Sequence, residues 1–409
     1  MRPNETIRLT DPTFGPAAIG RLASGKAAFV LDGLPGELVE MRIDEDRHSF
    51  VRGTATRIIE PAPERIEPAC AVAGECGGCS WQHATHQAQL GWKKLLIQRE
   101  LHRAVKGLEP DVLAPMLHGK ALGFRTRTRL HRRGADFGTM QRQSKRVIPL
   151  RACPILECEL ERFALELTEV LKTAPQGDAE IELYVDARGA RGAFVLRRDA
   201  NKLDWAGLLS GLNIASLRVG RSGELHGEPL VERSLDLDVL FEPGCFVQTN
   251  REANQLLLEA VSQMAGQGKS FFEIYAGTGN FSVHLAKRFA AGSAAEADAL
   301  AVRMLERNLA GSEVEVLVEA DRLSARRLLE GEKQDLLLAD PPRAGIRPLL
   351  TAILRRRPRR IVLISCHPMA ALRDIGWIVG EGRYVLKRLQ PVEMFPQSHH
   401  LELAALLEL

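Results

Sequence analysis

Residues 271–286 read FFEIYAGTGNFSVHLA: an apolar strand, a turn holding Gly277, Thr278, Gly279 and Asn280, and an apolar helix behind it. Only glycine lets backbone approach a ligand closely at such a turn, and open α/β sheets bind nucleotides in the crevice beyond their strand ends. The third glycine of the dinucleotide fingerprint is missing. Outward from this stretch, the strand-like runs EVLVEA (315–320), DLLLAD (335–340), RIVLISC (360–366) and LELAALLEL (401–409) alternate with helical segments. That alternation predicts a doubly wound α/β domain over 241–409.

Glu296 follows Asn280 by sixteen positions, where the next strand should end. A carboxylate there can accept both ribose hydroxyls of an adenosine, which suits S-adenosylmethionine as well as NAD. DLLLAD ends in Asp340 before Pro341 and Pro342, a stiff turn that presents the acid at the strand's edge. The next strand runs into Ser365, Cys366, His367 and Pro368 in the same way, and the terminal segment brings two histidines and Glu402, a candidate base.

The chain has 409 residues, 55 Lys and Arg against 52 Asp and Glu, and is 45% hydrophobic. This is the composition of a soluble globular protein of two to four domains, which excludes a disordered or fibrous chain. No apolar leader opens it and no run approaches the roughly 18 residues of a membrane span, so a cytoplasmic location away from membranes is expected. Charge is uneven: Lys120–Arg151 holds ten basic residues and one acidic residue, Asp136, a local +9 suited to a polyanion.

Short β-type runs at 7–9, 27–31, 38–43 and 51–59, punctuated by Gly33, Pro35 and Gly36, predict a small barrel over 1–62. Residues 63–240 read as a central α+β domain, with a helix over 82–106, the strand FRTRTRLHRR and the helix ERFALELTEVLK. Arg125, Arg127 and Arg129 alternate along one strand face, placed either to hold phosphates or to form a salt-bridged surface. The Arg355–Arg360 run reads as a solvated helix end.

Cys70, Cys76 and Cys79 crowd one window, and Cys153 or Cys158 is the nearest further thiol upstream of the α/β domain. Four thiolates suit an iron–sulfur cluster or zinc, and the absence of a second paired knuckle favours the former.

FVQTN (246–250), EIYAGTGNF (273–281), DPPRAG (340–345), ISCHPMAALRD (364–374) and MFPQSHHLE (394–402) together resemble the RNA 5-methyluridine (uracil-5-)-methyltransferase family. With the cysteines and the TRAM-like barrel motif FVLDGLPGELVE, the chain looks like the iron–sulfur-containing 23S rRNA (uracil-5-)-methyltransferases. The resemblance implies a Rossmann-like S-adenosylmethionine-dependent methyltransferase domain, an RNA-binding barrel and no obligate protein partner. It implies Cys366 as nucleophile, Glu402 as proton acceptor, and Gln248, Tyr275, Asn280, Glu296, Asp321 and Asp340 around the methyl donor. Phe246, Gln248 and Asp340 would meet the target uracil, and Cys70, Cys76, Cys79 and Cys153 would hold a [4Fe-4S] cluster.

Four positions depart from the family pattern: His367 for Asn, Glu393 for Asp, Ser398 for Thr and Asp321 for Asn. RNA cytosine methyltransferases place a cysteine beside the proline of the Asp motif, where this chain has Pro342 and Arg343. Two rival readings are a tRNA uridine methyltransferase and a non-catalytic RNA-binding factor. The joint presence of Cys366 and Glu402 weighs against the binding factor.

Overall fold

The computed structural model describes residues 4–109, 111–197, 204–319, 321–331 and 333–409. Two units divide the chain: one of 1–99, 140–146 and 395–400, the other of 100–139, 147–394 and 401–409.

In the first unit, β1 (Glu5–Pro12), β2 (Ala18–Arg21), β3 (Ala27–Leu31), β4 (Leu38–Asp46) and β5 (Phe50–Glu60) close into a barrel in the order β1-β2-β3-β5-β4. Alternate residues fill it: Ile7 and Leu9, Ala28 and Val30, Val39 and Met41, and Val51. The sequence pattern missed β2, four residues interrupted by Gly20. A Cβ at Gly20 would lie 2.3 Å from the Arg8 carbonyl oxygen, so close strand approach, not a turn, requires that glycine. The expected helix at 82–106 forms over His86–Ala104.

The second unit carries two larger sheets. β6 (Arg127–Arg133), β7 (Asp136–Met140), β8 (Val147–Pro149), β9 (Ala179–Val185), β10 (Arg191–Arg197), β11 (Ile214–Val219) and β12 (Leu225–Gly227) are ordered β12-β11-β10-β9-β6-β7-β8. The helix Cys158–Thr173 buries Leu160, Phe163, Ala164, Leu167 and Leu171, one stripe at helical spacing, in the core shared with this sheet. A hairpin of β13 (Leu230–Ser234) and β14 (Leu237–Phe241) follows.

The last sheet holds β15 (Gly268–Ile274), β16 (Phe289–Glu296), β17 (Val314–Val318), β18 (Leu336–Ala339), β19 (Arg360–Ser365), β20 (Val385–Val392) and β21 (Glu402–Glu408). Their order is β17-β16-β15-β18-β19-β21-β20, parallel from β17 to β19, with β21 antiparallel to both neighbours. All four residues of β18 are buried, as expected of a central strand covered on both faces. The chain moves outward from β15 to β17 and then returns to β18 on the other side. That reversal opens a crevice at the carboxyl ends of β15 and β18, where open sheets take their ligands. The doubly wound expectation for the C-terminal region therefore holds, with β20 added to the strands read from the sequence.

Candidate active site

The turn after β15 builds one wall of the crevice. Tyr275 takes φ +65°, and Gly277 and Gly279 take +58° and +101°. A Cβ at Gly277 would meet nothing within 4 Å, so the turn leaves an open cradle of the kind an adenosyl ligand needs. Glu296, the last residue of β16, braces it: Oε2 accepts the Gly277 amide at 2.8 Å, and Oε1 accepts those of Ala297 and Asp298 at 2.7 and 2.8 Å. The Tyr275 hydroxyl donates to Asp321 Oδ1 at 2.5 Å, and burial together with that bond pushes the phenol's pKa upward.

Asn280 and Asn254 exchange side-chain hydrogen bonds at 3.0 Å in both directions. Asn250 caps the helix Arg251–Ala265 by accepting the Ala253 amide, and its own amide donates to the Met394 carbonyl, which fixes the end of FVQTN. A cavity is lined by Phe246, Gln248, Tyr275, Asn280 and Asp340, joined by Glu232 and Asn254. Glu296 and Asp321 stand behind this lining and act on it through Gly277 and Tyr275.

A second cluster of sequence-predicted residues lies at the edges of β18, β19 and β21. Ser365 pairs with Leu403, so the register sets Cys366 opposite Glu402. Glu402 is only 2% exposed, and burial together with the charge of Asp340 raises its carboxyl well above the ordinary range. Burial pushes Asp340 up to about 7. The Cys366 thiol is also raised, by burial first and then by Glu402 and Asp340, while Arg343 opposes this as a hydrogen-bond donor to the sulfur. Two acids that resist ionisation beside one thiol form a set whose protons can be exchanged during a reaction.

His367 caps the helix Pro368–Gly382, its Nδ1 accepting the Ala370 amide at 3.2 Å, with Pro368 at the first helical position. Asparagine could accept the same amide, so this departure preserves the cap that aims Cys366. The Arg343 loop is anchored to the same helix: Asp374 Oδ2 accepts the Ile346 amide at 2.9 Å, and Arg373 donates to the Ala344 carbonyl at 3.0 Å. Gly345 has φ +84°, and a Cβ there would lie 2.1 Å from Asp374 Oδ2.

A protein of Azoarcus sp. (strain BH72) named 23S rRNA (uracil(1939)-C(5))-methyltransferase RlmD is 32% identical to this chain, covering 94% of it and 95% of its own length. The chain belongs to the RNA uracil-5-methyltransferase family. A protein of the same name from Aeromonas hydrophila is 31% identical, over 95% of this chain and 93% of its own. The family model described as tRNA (Uracil-5-)-methyltransferase matches residues 232–409. In fold, the chain is similar to a Pyrococcus abyssi tRNA (uracil-54, C5)-methyltransferase solved with S-adenosyl-L-homocysteine: TM-score 0.73, 23% identity, 99% of this chain and all of that one.

As a uracil-5-methyltransferase family member, the chain holds functional candidates that its sequence motifs do not single out. Glu232 carries no motif signal. Glu273 had one, an acid inside the apolar run FFEIY: it is fully buried, Ser282 donates to its Oε2, and its Oε1 has no hydrogen-bond partner among the described residues. Burial raises it to about 8.

Of the two readings of these arginines, the salt-bridged face is the one the structure shows for Arg127 and Arg129. Arg127 and Arg129 both donate to the buried Glu182, at 3.0 and 2.8 Å, and Arg125 donates to the Arg127 carbonyl. Cys70, Cys76 and Cys79 are half-buried in the first unit, where Cys76 Sγ accepts the Gly78 amide, and Cys153 belongs to the second unit. Among the described residues no group of three or more His, Cys, Asp or Glu side chains that could hold a metal ion is found. Among the described residues no helix is long and apolar enough to cross a membrane.

Proposed function

We propose that this chain transfers a methyl group from S-adenosylmethionine to C5 of a uridine in 23S rRNA. The observation that carries the reading is the register that sets Cys366 opposite the buried Glu402, with Asp340 beside them. Uracil C5 is a weak nucleophile, so the ring must first be activated. The Cys366 thiolate adds to C6, the C5=C6 electrons move into an enolate, and C5 becomes electron-rich. When bound, the donor supplies an electrophilic methyl on a sulfonium sulfur, which C5 displaces. Glu402 then takes the C5 proton, the C5=C6 bond re-forms, and the Cys366 sulfur leaves with its electron pair.

Arg343 favours the thiolate that begins this sequence, and the raised pKa of Glu402 suits a group that must hold a proton at the end of it. Gln248 and Asp340 line the cavity as hydrogen-bonding groups for the base, and Phe246, 63% exposed at its mouth, offers a ring for stacking. Tyr275, Asn280, Glu296 and Asp321 shape the donor's side.

The domain assignment 1–62, 63–240 and 241–409, an RNA-binding role for the barrel and a cytoplasmic location belong to the same reading. A [4Fe-4S] cluster on Cys70, Cys76, Cys79 and Cys153 is supported by thiol spacing and resemblance only, enters no step, and is tested by iron and sulfide analysis of anaerobically purified protein.

The deciding experiment uses 23S rRNA fragments containing 5-fluorouridine. Fluorine at C5 cannot leave as a cation, so the sulfur–C6 bond persists and a protein–RNA species survives denaturing electrophoresis. No such species with the native protein would overturn the mechanism.

A further inference from the structure

Glu232 sits on β13, outside every motif that carries the family likeness, yet it lines the same cavity as Gln248, Asn280 and Asp340. It is 7% exposed and held from one side only. Oε1 accepts Arg251 Nε at 2.6 Å and the Arg233 amide at 3.1 Å, whereas among the described residues Oε2 has only a long contact of 3.5 Å to Arg251 Nη2. Burial raises its pKa despite the neighbouring guanidinium, which means the site under-compensates the anion. A buried carboxylate with one weakly satisfied oxygen gains from a further cation.

The cavity's own composition says what kind of cation. Its ionisable lining groups are Glu232, Asp340 and the phenol of Tyr275, with no lysine or arginine among the lining residues. The methyl donor of the proposed reaction carries a sulfonium, an α-ammonium and one carboxylate, a net positive ligand. Asp340 stands at the sheet edge beside Cys366, where the methyl must be delivered. Glu232 lies on the separate β13–β14 hairpin and so is free to serve the other cation.

We propose that Glu232 receives the α-ammonium group of the methyl donor, with Arg251 fixing the carboxylate's orientation. The inference rests on the donor being an S-adenosyl compound. It makes Glu232 a recognition residue for the amino-acid end, distinct from the adenosine end governed by Glu296 and Asp321.

Calorimetric binding to the full-length protein tests it with three probes: S-adenosylhomocysteine, its desamino analogue, and 5′-methylthioadenosine, which lacks the whole amino-acid end. The substitution is Glu232→Gln, whose amide oxygen can still accept from Arg251 and the Arg233 amide. Native protein should bind S-adenosylhomocysteine roughly 10- to 100-fold more tightly than the desamino analogue, the range for a charge-assisted hydrogen bond. The variant should lose most of that preference while binding 5′-methylthioadenosine as the native protein does, which also shows that it is folded. Equal losses for S-adenosylhomocysteine and the desamino analogue would overturn the assignment of Glu232. Failure of native protein to bind any of the three would overturn the donor reading itself.

Discussion

Cys366 and Glu402 face each other across two antiparallel strands: Ser365 of β19 is paired with Leu403 of β21, and the register carries one step further to the thiol and the acid. Proximity set by backbone hydrogen bonds is stiffer than proximity set by loops, so the closeness of Cys366 to Glu402 follows from the sheet. In the proposed mechanism the two groups act at opposite ends of the reaction, which allows their variants to be told apart.

In the proposed mechanism Cys366→Ala removes the step that activates C5, so methyl transfer to rRNA should fall below detection and no covalent RNA species should form. Glu402→Gln keeps the nucleophile and loses the proton acceptor. Turnover should fall by roughly 10²- to 10⁴-fold, the usual cost of losing a general base. Single-turnover assays resolved on denaturing gels should show a methylated protein–RNA adduct accumulating in the second variant alone. Normal turnover by either variant would remove that residue from the mechanism.

The charges around the thiol give a pH prediction with a definite sign. Asp340 and Glu402 raise the Cys366 thiol's pKa and Arg343 lowers it. A raised pKa means that the reactive thiolate appears at higher pH than in an ordinary cysteine. Removing one anion by Asp340→Asn should move the pH profile of Cys366 alkylation by iodoacetamide to lower pH. Arg343→Gln should move it higher. Profiles that coincide with the native one would mean that neither group senses the sulfur.

Much of this arrangement was legible in the sequence because it lies at the ends of buried strands. An apolar run that stops at Asp340–Pro341 or Cys366–His367–Pro368 announces both the strand and the side chain beyond it. The glycine turn announces itself for the same reason: φ values of +58° and +101° need glycine. Glu232 was hidden because one acid in VERS has no periodicity to break, and its meaning comes only from Arg251, brought to it by the fold. The arginines of β6 left two readings open in the sequence. Alternation correctly put them on one face, but the buried acid opposite them, Glu182, lies fifty residues away on β9. Register shows that neighbour and composition does not: Arg129 pairs with Glu182.

Glu273 gives a second pH effect, on stability. Its carboxyl is raised from the ordinary range to about 8. The folded state thus binds this proton more tightly than the unfolded chain. The resulting stabilisation is complete below the ordinary carboxylate pKa and is lost as pH rises through about 8. Glu273→Gln keeps a side chain able to accept from Ser282 and cannot ionise. Urea unfolding at pH 6 and pH 9 should show native protein losing stability over that interval, by an amount on the order of a few kcal/mol. The variant should lose distinctly less, and identical losses would assign the pH dependence elsewhere.

The geometry of Arg127 separates two roles that look alike in sequence. Its guanidinium lies 5.5 Å from the centre of the Tyr184 ring and 5.6 Å from that of Phe246, and donates to Glu182. The charge is thus already engaged, and the exposed Phe246 ring is steadied from behind. Arg127→Met should leave Glu182 with its bonds from Arg129 and Tyr184 but let Phe246 move. If Phe246 stacks on the extruded base, methylation of folded rRNA should fall about tenfold, in line with the loss of one stacking contact. The salt dependence of RNA affinity should be unchanged. A phosphate contact would instead reduce the slope of log K against log salt by roughly 0.7 to 0.9, so filter binding across a salt series decides between the two.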